Sequence, residues 1–180
     1  IICYYNRWPE KGVGTTPEYS YTDYGNVNRT IAANTLGRTY NYNNMLADYN
    51  NGFTTTQANA VAALMKDIGT AVKMKYHYTG SGAMDTDALI GITTYLRYNK
   101  AANLEFRASY SYDEWQSALK QNLRGCGPTY YSGVDAEGGG HAFVVDGYKG
   151  DYFHFNFGWG GSGNGFFLCP EIEYYAGQMA

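Results

Sequence analysis

Charge is scarce in this sequence. Asp, Glu, Lys and Arg make up 16% of its 180 residues, where about a quarter is usual. The 13 basic residues do not outnumber the 16 acidic ones, and the net charge is −3. That leaves no basic excess to neutralise phosphates, which argues against nucleic acid as a partner. Cysteine is also scarce, with three residues, an odd count. None form a CxxC pair, and Cys3, Cys126 and Cys169 are too far apart for a local zinc motif. At most one disulfide can form, so at least one thiol remains. HExxH and paired-His spacings are missing, so no metal is expected. GxGxxG after a strand and GxxxxGK[ST] are missing too, and Gly80-Ser81-Gly82 is too short to cradle a phosphate. No G-x-S-x-G elbow marks a serine hydrolase. No apolar run approaches the roughly 18 residues of a spanning helix, so no membrane partner is expected. Ile1-Ile2-Cys3-Tyr4-Tyr5 lacks the charged start and long apolar stretch of a signal peptide.

What the chain has in abundance is Tyr, at 20 residues, and Gly, at 23. With Asn they suggest many turns, short strands and a polar aromatic surface. Hydrophobic residues at 44% allow a sizeable core in a single domain. Ile1 to Trp8 reads as the last turns of a helix stopped by Pro9. Gly12 to Asn28 reads as loop with short extended pieces, and Asn41 to Tyr49 as a short helix. Thr54 to Ile68 is the clearest helix. It has Thr54 and Gln57 at capping-box spacing, Val61, Leu64, Met65 and Ile68 on one face, and Gly69 as its stop. Met74 to Tyr78 reads as a short strand. Asp85 can cap a second helix with Leu89, Ile92 and Leu96 inward. Ser111 and Glu114 repeat the capping box before a third helix carrying Trp115, Leu119 and Leu123. The character then changes: 129–132, 141–148, 151–157 and 165–168 read as strands. Helices first and antiparallel strands last predict an α+β fold, in one domain.

The densest chemical cluster is Gly138 to Gly147 followed by His154 to Gly161. His141 opens an apolar strand directly after three glycines, which leave clearance for another backbone. If Lys149-Gly150 is the turn of the hairpin, paired residues sum to 299, and Phe143 faces Asn156. Asn156 then lies diagonal to His141 on the same face, in reach of one ring nitrogen, and the other nitrogen can act as a base. A turn at Asp146-Gly147 is the competing register and would leave Asn156 beyond the ladder. His77, between two tyrosines, reads as surface or loop. His154 should face away from Phe153 and Phe155.

The segments Tyr130-Tyr131-Ser132-Gly133-Val134, Gly139-Gly140-His141-Ala142-Phe143-Val144-Val145-Asp146-Gly147, Phe153-His154-Phe155-Asn156-Phe157-Gly158-Trp159-Gly160-Gly161 and Gly165-Phe166-Phe167 together resemble the streptopain family of papain-like cysteine peptidases. Asn6 to Gly12, Tyr40 to Leu46, Leu64 to Gly69 and Ser81-Gly82-Ala83 also resemble it. The resemblance implies a papain-like α+β fold, with a helical N-terminal part packed on a C-terminal antiparallel sheet. It implies a secreted bacterial cysteine endopeptidase acting on peptide or protein substrates without a metal or organic cofactor. His141 matches the catalytic base, Asn156 the residue that orients it, and Trp159 the indole that shields the pair. Phe157 stands where the family has a first Trp. Ser81 and Gly82 match a substrate-lining loop, and Gly140 and Phe157 border the same site.

The family nucleophile, a Cys at the start of the central helix, would lie ahead of Ile1. Cys3 matches an apolar position late in that helix, and Cys126 and Cys169 match nothing. The expectation is therefore a single domain over 1–180, truncated before the Cys helix and again at Ala176 to Ala180. The thiol would come from a preceding segment or a companion chain, and a pro-segment is a further expected partner. The alternative is an inert papain-like binding or inhibitory module, whose Tyr and Asn content would suit a carbohydrate surface.

Overall fold

A computed structural model of the chain describes residues 1–134 and 138–169, and the backbone of 177–179. It divides into two compact units, one of Ile1–Asn6 with Asn103–Ala180 and one of Arg7–Ala102.

The 7–102 unit is built on two helices and two small antiparallel ribbons. α2 (Thr55–Ala71) begins at a complete capping box. The Thr54 hydroxyl accepts the Gln57 N–H at 3.3 Å, and the Gln57 side chain accepts the Thr54 N–H at 2.8 Å. Such a cap stabilises a helix by about 1 kcal/mol. α3 (Asp85–Thr94) starts from Met84, which makes no side-chain cap. Asp85 is its first helical residue, where a carboxylate suits the positive end of the helix, and not its cap. The ribbons pair β1 (Thr15–Thr16) with β4 (Asn34–Thr35), and β2 (Tyr19–Thr22) with β3 (Asn28–Ile31). The N-terminal half is thus not purely helical.

Four local expectations are corrected here. Gly69 does not stop α2, which continues to Ala71; lacking a Cβ, it leaves room for the Tyr76 side chain against the helix. Met65 is exposed, while Leu64 and Asp67 are buried. The buried face of α2 therefore includes a charged residue that hydropathy assigns to solvent. Asp67 accepts hydrogen bonds from Asn34 Nδ2 and Tyr40 OH, both at 2.9 Å, and faces Arg38 Nε at 3.3 Å. Residues 74–78 form no strand. They contribute a single bridge, Lys75 to Gly82. Between Asn41 and Met45 a 3-10 turn, Tyr42–Asn44, replaces the expected short helix.

The other unit carries the large sheet. α1 (Ile2–Asn6) buries Cys3. α4 (Tyr112–Cys126) has the predicted Ser111–Glu114 capping box and buries Trp115 and Leu119. Six antiparallel strands follow the order β5-β10-β6-β7-β8-β9. They are β5 (Leu104–Phe106), β6 (Thr129–Val134), β7 (Gly140–Lys149), β8 (Tyr152–Asn156), β9 (Gly165–Leu168) and β10 (Gly177–Met179). The four predicted strands are all present. β10, pairing with both β5 and β6, was not foreseen. The expected early end of the chain falls partly on Ala176 and Ala180, outside the described residues.

The core of this unit gathers Trp115 and Leu119 from α4 with Tyr131, Phe143, Val145, Phe153, Phe155 and Cys169. Trp115, Val145, Phe153 and Phe155 are fully buried, each worth roughly 1.5–3 kcal/mol of transfer free energy. Alternation along β7 and β8 explains the choice. Phe153 and Phe155 point inward, so His154 points out, where its Nδ1 meets Asp146 Oδ1 at 2.5 Å.

Neither predicted hairpin register holds. Lys149 pairs with Tyr152, so the two-residue turn is Gly150-Asp151. The ladder then shifts between Val145 and Gly147, with Asp146 as the extra residue of a bulge. Beyond the bulge Val144, not Phe143, faces Asn156. A one-residue slip exchanges the faces of a strand, and it moves Asn156 off the face of His141 and puts Phe157 there.

Candidate active site

His141 sits on the second residue of β7, opposite Gly133 of β6. It lines a cavity of about 270 Å³ together with Gly133, Gly139, Gly140, Phe143, Phe157 and Trp159. Three of these seven are glycines, so one wall of the cavity is bare backbone. No atom lies within 4 Å of where a Gly140 side chain would start. The opposite wall is aromatic. The His141 ring stacks on Trp159 at 4.7 Å between centroids and 26° between planes, and flanks Phe143 at 5.8 Å and Phe157 at 6.4 Å. Trp159 covers the imidazole while remaining about 59% exposed.

One ring nitrogen is engaged. His141 Nε2 lies 2.9 Å from the Phe157 carbonyl oxygen. A carbonyl only accepts, so Nε2 carries the proton in both the neutral and the charged ring. In the neutral ring the lone pair is therefore on Nδ1, which has no hydrogen-bond partner among the described residues. That is the arrangement a general base requires.

Asn156 is not bonded to His141. Its Oδ1 accepts the Gly158 N–H at 3.1 Å, as the observed register dictates. The expected direct amide–imidazole contact is thus replaced by a main-chain carbonyl. Asn164, at the end of the glycine turn before β9, accepts the Phe157 N–H at 3.0 Å. Sequence reasoning did not single out Asn164. A side-chain acceptor at the end of a Gly-rich turn, immediately before a strand, was the available signal.

The structure thus brings Gly140, His141, Phe157 and Trp159 to one cavity. Asn156 stands one residue away, turned to the backbone. Ser81 and Gly82 belong to the 7–102 unit. Gly82 exchanges two backbone hydrogen bonds with Lys75, and the Ser81 hydroxyl lies 3.4 Å from the His77 N–H. The third histidine, His77, is half-buried in that turn, with Nδ1 2.6 Å from the Thr79 hydroxyl.

No cysteine sulfur is hydrogen bonded to His141. Cys169 is buried beside Tyr131, and burial pushes its thiol up to about 12, so it stays protonated and inert. Cys126 is an exposed thiol at the end of α4. Among the described residues, no cluster of three or more His, Cys, Asp or Glu could hold a metal ion.

The site is thus a histidine held by one ring nitrogen and roofed by indole on an antiparallel sheet, with the other nitrogen available for proton transfer. The sequence profile of the Peptidase C10 family matches residues 1–167, and the chain belongs to that family. It is 34% identical over 178 residues to streptopain of Streptococcus pyogenes, across 96% of this chain and 44% of streptopain. It is 34% identical over 173 residues to the thiol protease/hemagglutinin PrtT of Porphyromonas gingivalis, across 96% of this chain and 20% of that protein. The fold is papain-like. It superposes on active interpain A, a cysteine protease of Prevotella intermedia, with a TM-score of 0.84 at 30% identity, covering 99% of this chain and 78% of interpain A. A prointerpain A fragment gives 0.82 at 31% identity, covering 99% of this chain and 59% of the fragment. The chain spans less than half the length of the curated relatives it matches.

Proposed function

We propose that residues 1–180 are the body of one peptidase domain of a secreted cysteine endopeptidase, in which His141 is the general base. The observation that carries the reading is the single engaged nitrogen of His141, Nε2 on Phe157 O at 2.9 Å. In this reading Nδ1 takes the proton of a cysteine thiol. The thiolate attacks the scissile carbonyl, and the resulting imidazolium protonates the leaving amine. Water then hydrolyses the acyl-enzyme, again with Nδ1 as the base. Trp159, stacked on the ring, keeps water from the Nε2 hydrogen bond. Gly140 and Phe157 border the substrate, and Ser81 and Gly82 contribute to its binding. Asn156 acts on the base only indirectly, through the Phe157–Gly158 peptide whose N–H its Oδ1 accepts.

The position of the three cysteines supports a thiol supplied from outside these residues, by another segment or a companion chain. The substrate is a peptide or protein, and the prointerpain fragment supports a pro-segment as a further partner. No residue set of the site calls for a metal or organic cofactor.

The test is hydrolysis of a peptide substrate by the full-length protein, with and without an alkylating agent. Cleavage should be abolished by alkylation and by His141→Ala. Cleavage that survives alkylation would refute the cysteine mechanism. An absence of cleavage by a protein carrying its Cys segment would favour an inert papain-like module.

A further inference from the structure

The aromatic roof and the base account for one face of His141. They leave unexplained what holds the Phe157 carbonyl in place, since it lies beyond the last residue of β8 (Tyr152–Asn156) and outside the regular ladder. We infer that Asn164 is a positioning residue for the base. It fixes Phe157 so that a main-chain carbonyl, and not the Asn156 amide, sets the tautomer of His141. The inference rests on the peptidase reading above and adds to it a residue and a route.

The hydrogen bonds form a connected chain. The peptide between Phe157 and Gly158 offers its oxygen to His141 Nε2 at 2.9 Å. The N–H of that same peptide is held by Asn156 Oδ1 at 3.1 Å. The preceding N–H, of Phe157 itself, is held by Asn164 Oδ1 at 3.0 Å. Two asparagine side chains therefore pin both peptide planes flanking the Phe157 Cα. Asn156, the last residue of β8 and paired with Val144, holds the peptide from its own strand. Asn164 adds a tie from a second strand: its neighbour Gly165 pairs with Phe155 in the β8–β9 ladder. Its own N–H donates to Gly161 O at 3.3 Å, closing the turn that carries Trp159. One side chain thereby links β9, the Trp159 turn and the carbonyl that holds the base.

The chemical consequence is specific. An amide side chain can present either its oxygen or its nitrogen to an imidazole, so it admits both tautomers. A carbonyl oxygen admits only Nε2–H. Pinning the Phe157 carbonyl forces the neutral lone pair onto Nδ1 without any contact between Asn164 and the reacting atoms.

The experiment is nitrogen-15 NMR of the His141 ring in full-length protein, at a pH where the ring is neutral. The wild type should show one tautomer, Nε2–H. Asn164→Ala should show a mixture, and Asn164→Asp, whose carboxylate still accepts the Phe157 N–H, should restore the single tautomer. A purely structural role would lower the melting temperature in Asn164→Ala and leave the tautomer unchanged, and that result overturns the inference. A wild-type ring in the Nδ1–H form overturns it without any variant, as does an Nδ1–H form in Asn164→Asp, so the test survives an Asn164→Ala chain that does not fold. In active full-length enzyme, Asn164→Ala should lower kcat by roughly tenfold, a fraction of the 10²–10⁴ a positioned base supplies, with KM unchanged. The NMR readout needs no turnover. An inactive wild type with pure Nε2–H would sink the peptidase reading and leave the positioning result standing.

Discussion

Gly91 of α3 lies against the carbonyl of Ala71, the last residue of α2, so closely that a Cβ at position 91 would stand 2.7 Å from that oxygen and 2.9 Å from its carbon. The atoms it would meet are backbone and cannot rotate away. Gly125, in α4, has nothing within 4 Å of the same position. Both are helical glycines, and helix propensity alone predicts that alanine stabilises each by about 0.5–1 kcal/mol. Packing should reverse the sign at one of them. Gly91→Ala should destabilise by about 1–3 kcal/mol, the usual range for overpacking, while Gly125→Ala should raise the melting temperature. Denaturant unfolding of the two variants checks both signs. A stabilised Gly91→Ala would mean that α2 and α3 separate without cost.

The buried carboxylate of Asp67 supports the same unit in a different way. It accepts from Asn34 and Tyr40 and is ion-paired with Arg38, and burial with the Asp67 hydrogen bond drives the Tyr40 hydroxyl well above its ordinary pKa. Asp67→Ala would leave the buried Tyr40 hydroxyl and one N–H of Asn34 without an acceptor, while the exposed Arg38 is rehydrated. The expected cost is about 1–3 kcal/mol for each buried group left unsatisfied. Asp67→Asn keeps one acceptor oxygen and should cost less. Equal losses in the two variants, measured by thermal unfolding, would assign the effect to packing alone.

These two sites show where the sequence was legible and where it was not. Capping boxes are local, and both Thr54–Gln57 and Ser111–Glu114 form as their three-residue spacing predicts. The four strands around His141 were legible because β-branched and aromatic residues alternate between glycine turns. The site's aromatic members were legible through family resemblance. What was hidden is non-local. Asp67 looked like a surface residue because its partners lie 27 and 33 positions away. The strand Gly177–Met179 was missed because its pairing partners, β5 and β6, are remote in sequence. The hairpin register failed by one residue because a bulge at Asp146 depends on packing, which no spacing rule encodes. That single residue decides whether Asn156 or the Phe157 carbonyl meets the base.

The β2–β3 ribbon should respond to acid through Asp23. Its Oδ1 accepts the N–H groups of Val27 and Gly25, and its Oδ2 meets Arg29 Nε at 2.8 Å. The Val27 hydrogen bond first, then Arg29, hold its pKa below the ordinary 3.8. A depressed folded-state pKa means the stabilisation is complete above the unfolded value and disappears as pH falls through the folded one. The protection factors of the ribbon amides, taken against the intrinsic rate at each pH, should therefore be unchanged from neutral pH to about 4 and fall below it. Asp23→Asn should flatten that acid dependence. An equally steep acid response in the variant would place the titrating group elsewhere.

Two of the three thiols should differ sharply in reactivity. Cys126 is exposed at the end of α4, whereas Cys169 is 4% exposed in the core and held protonated by burial, with its thiol near 12. Alkylation proceeds through the thiolate, so its rate follows both access and ionisation. Brief treatment of the folded protein with iodoacetamide near pH 8 should label Cys126 and leave Cys169 unmodified, and denaturant should make Cys169 reactive. Peptide mass spectrometry resolves the two sites. Cys126→Ser should leave any peptidase activity of the full-length protein unchanged and still sensitive to alkylation, because Cys126 makes no contact with His141. Loss of activity in Cys126→Ser would make that thiol the nucleophile and require the end of α4 to reach the cavity. Rapid labelling of native Cys169 would instead show that the core formed by Trp115, Tyr131 and Phe155 opens readily, against the full burial of those aromatic rings.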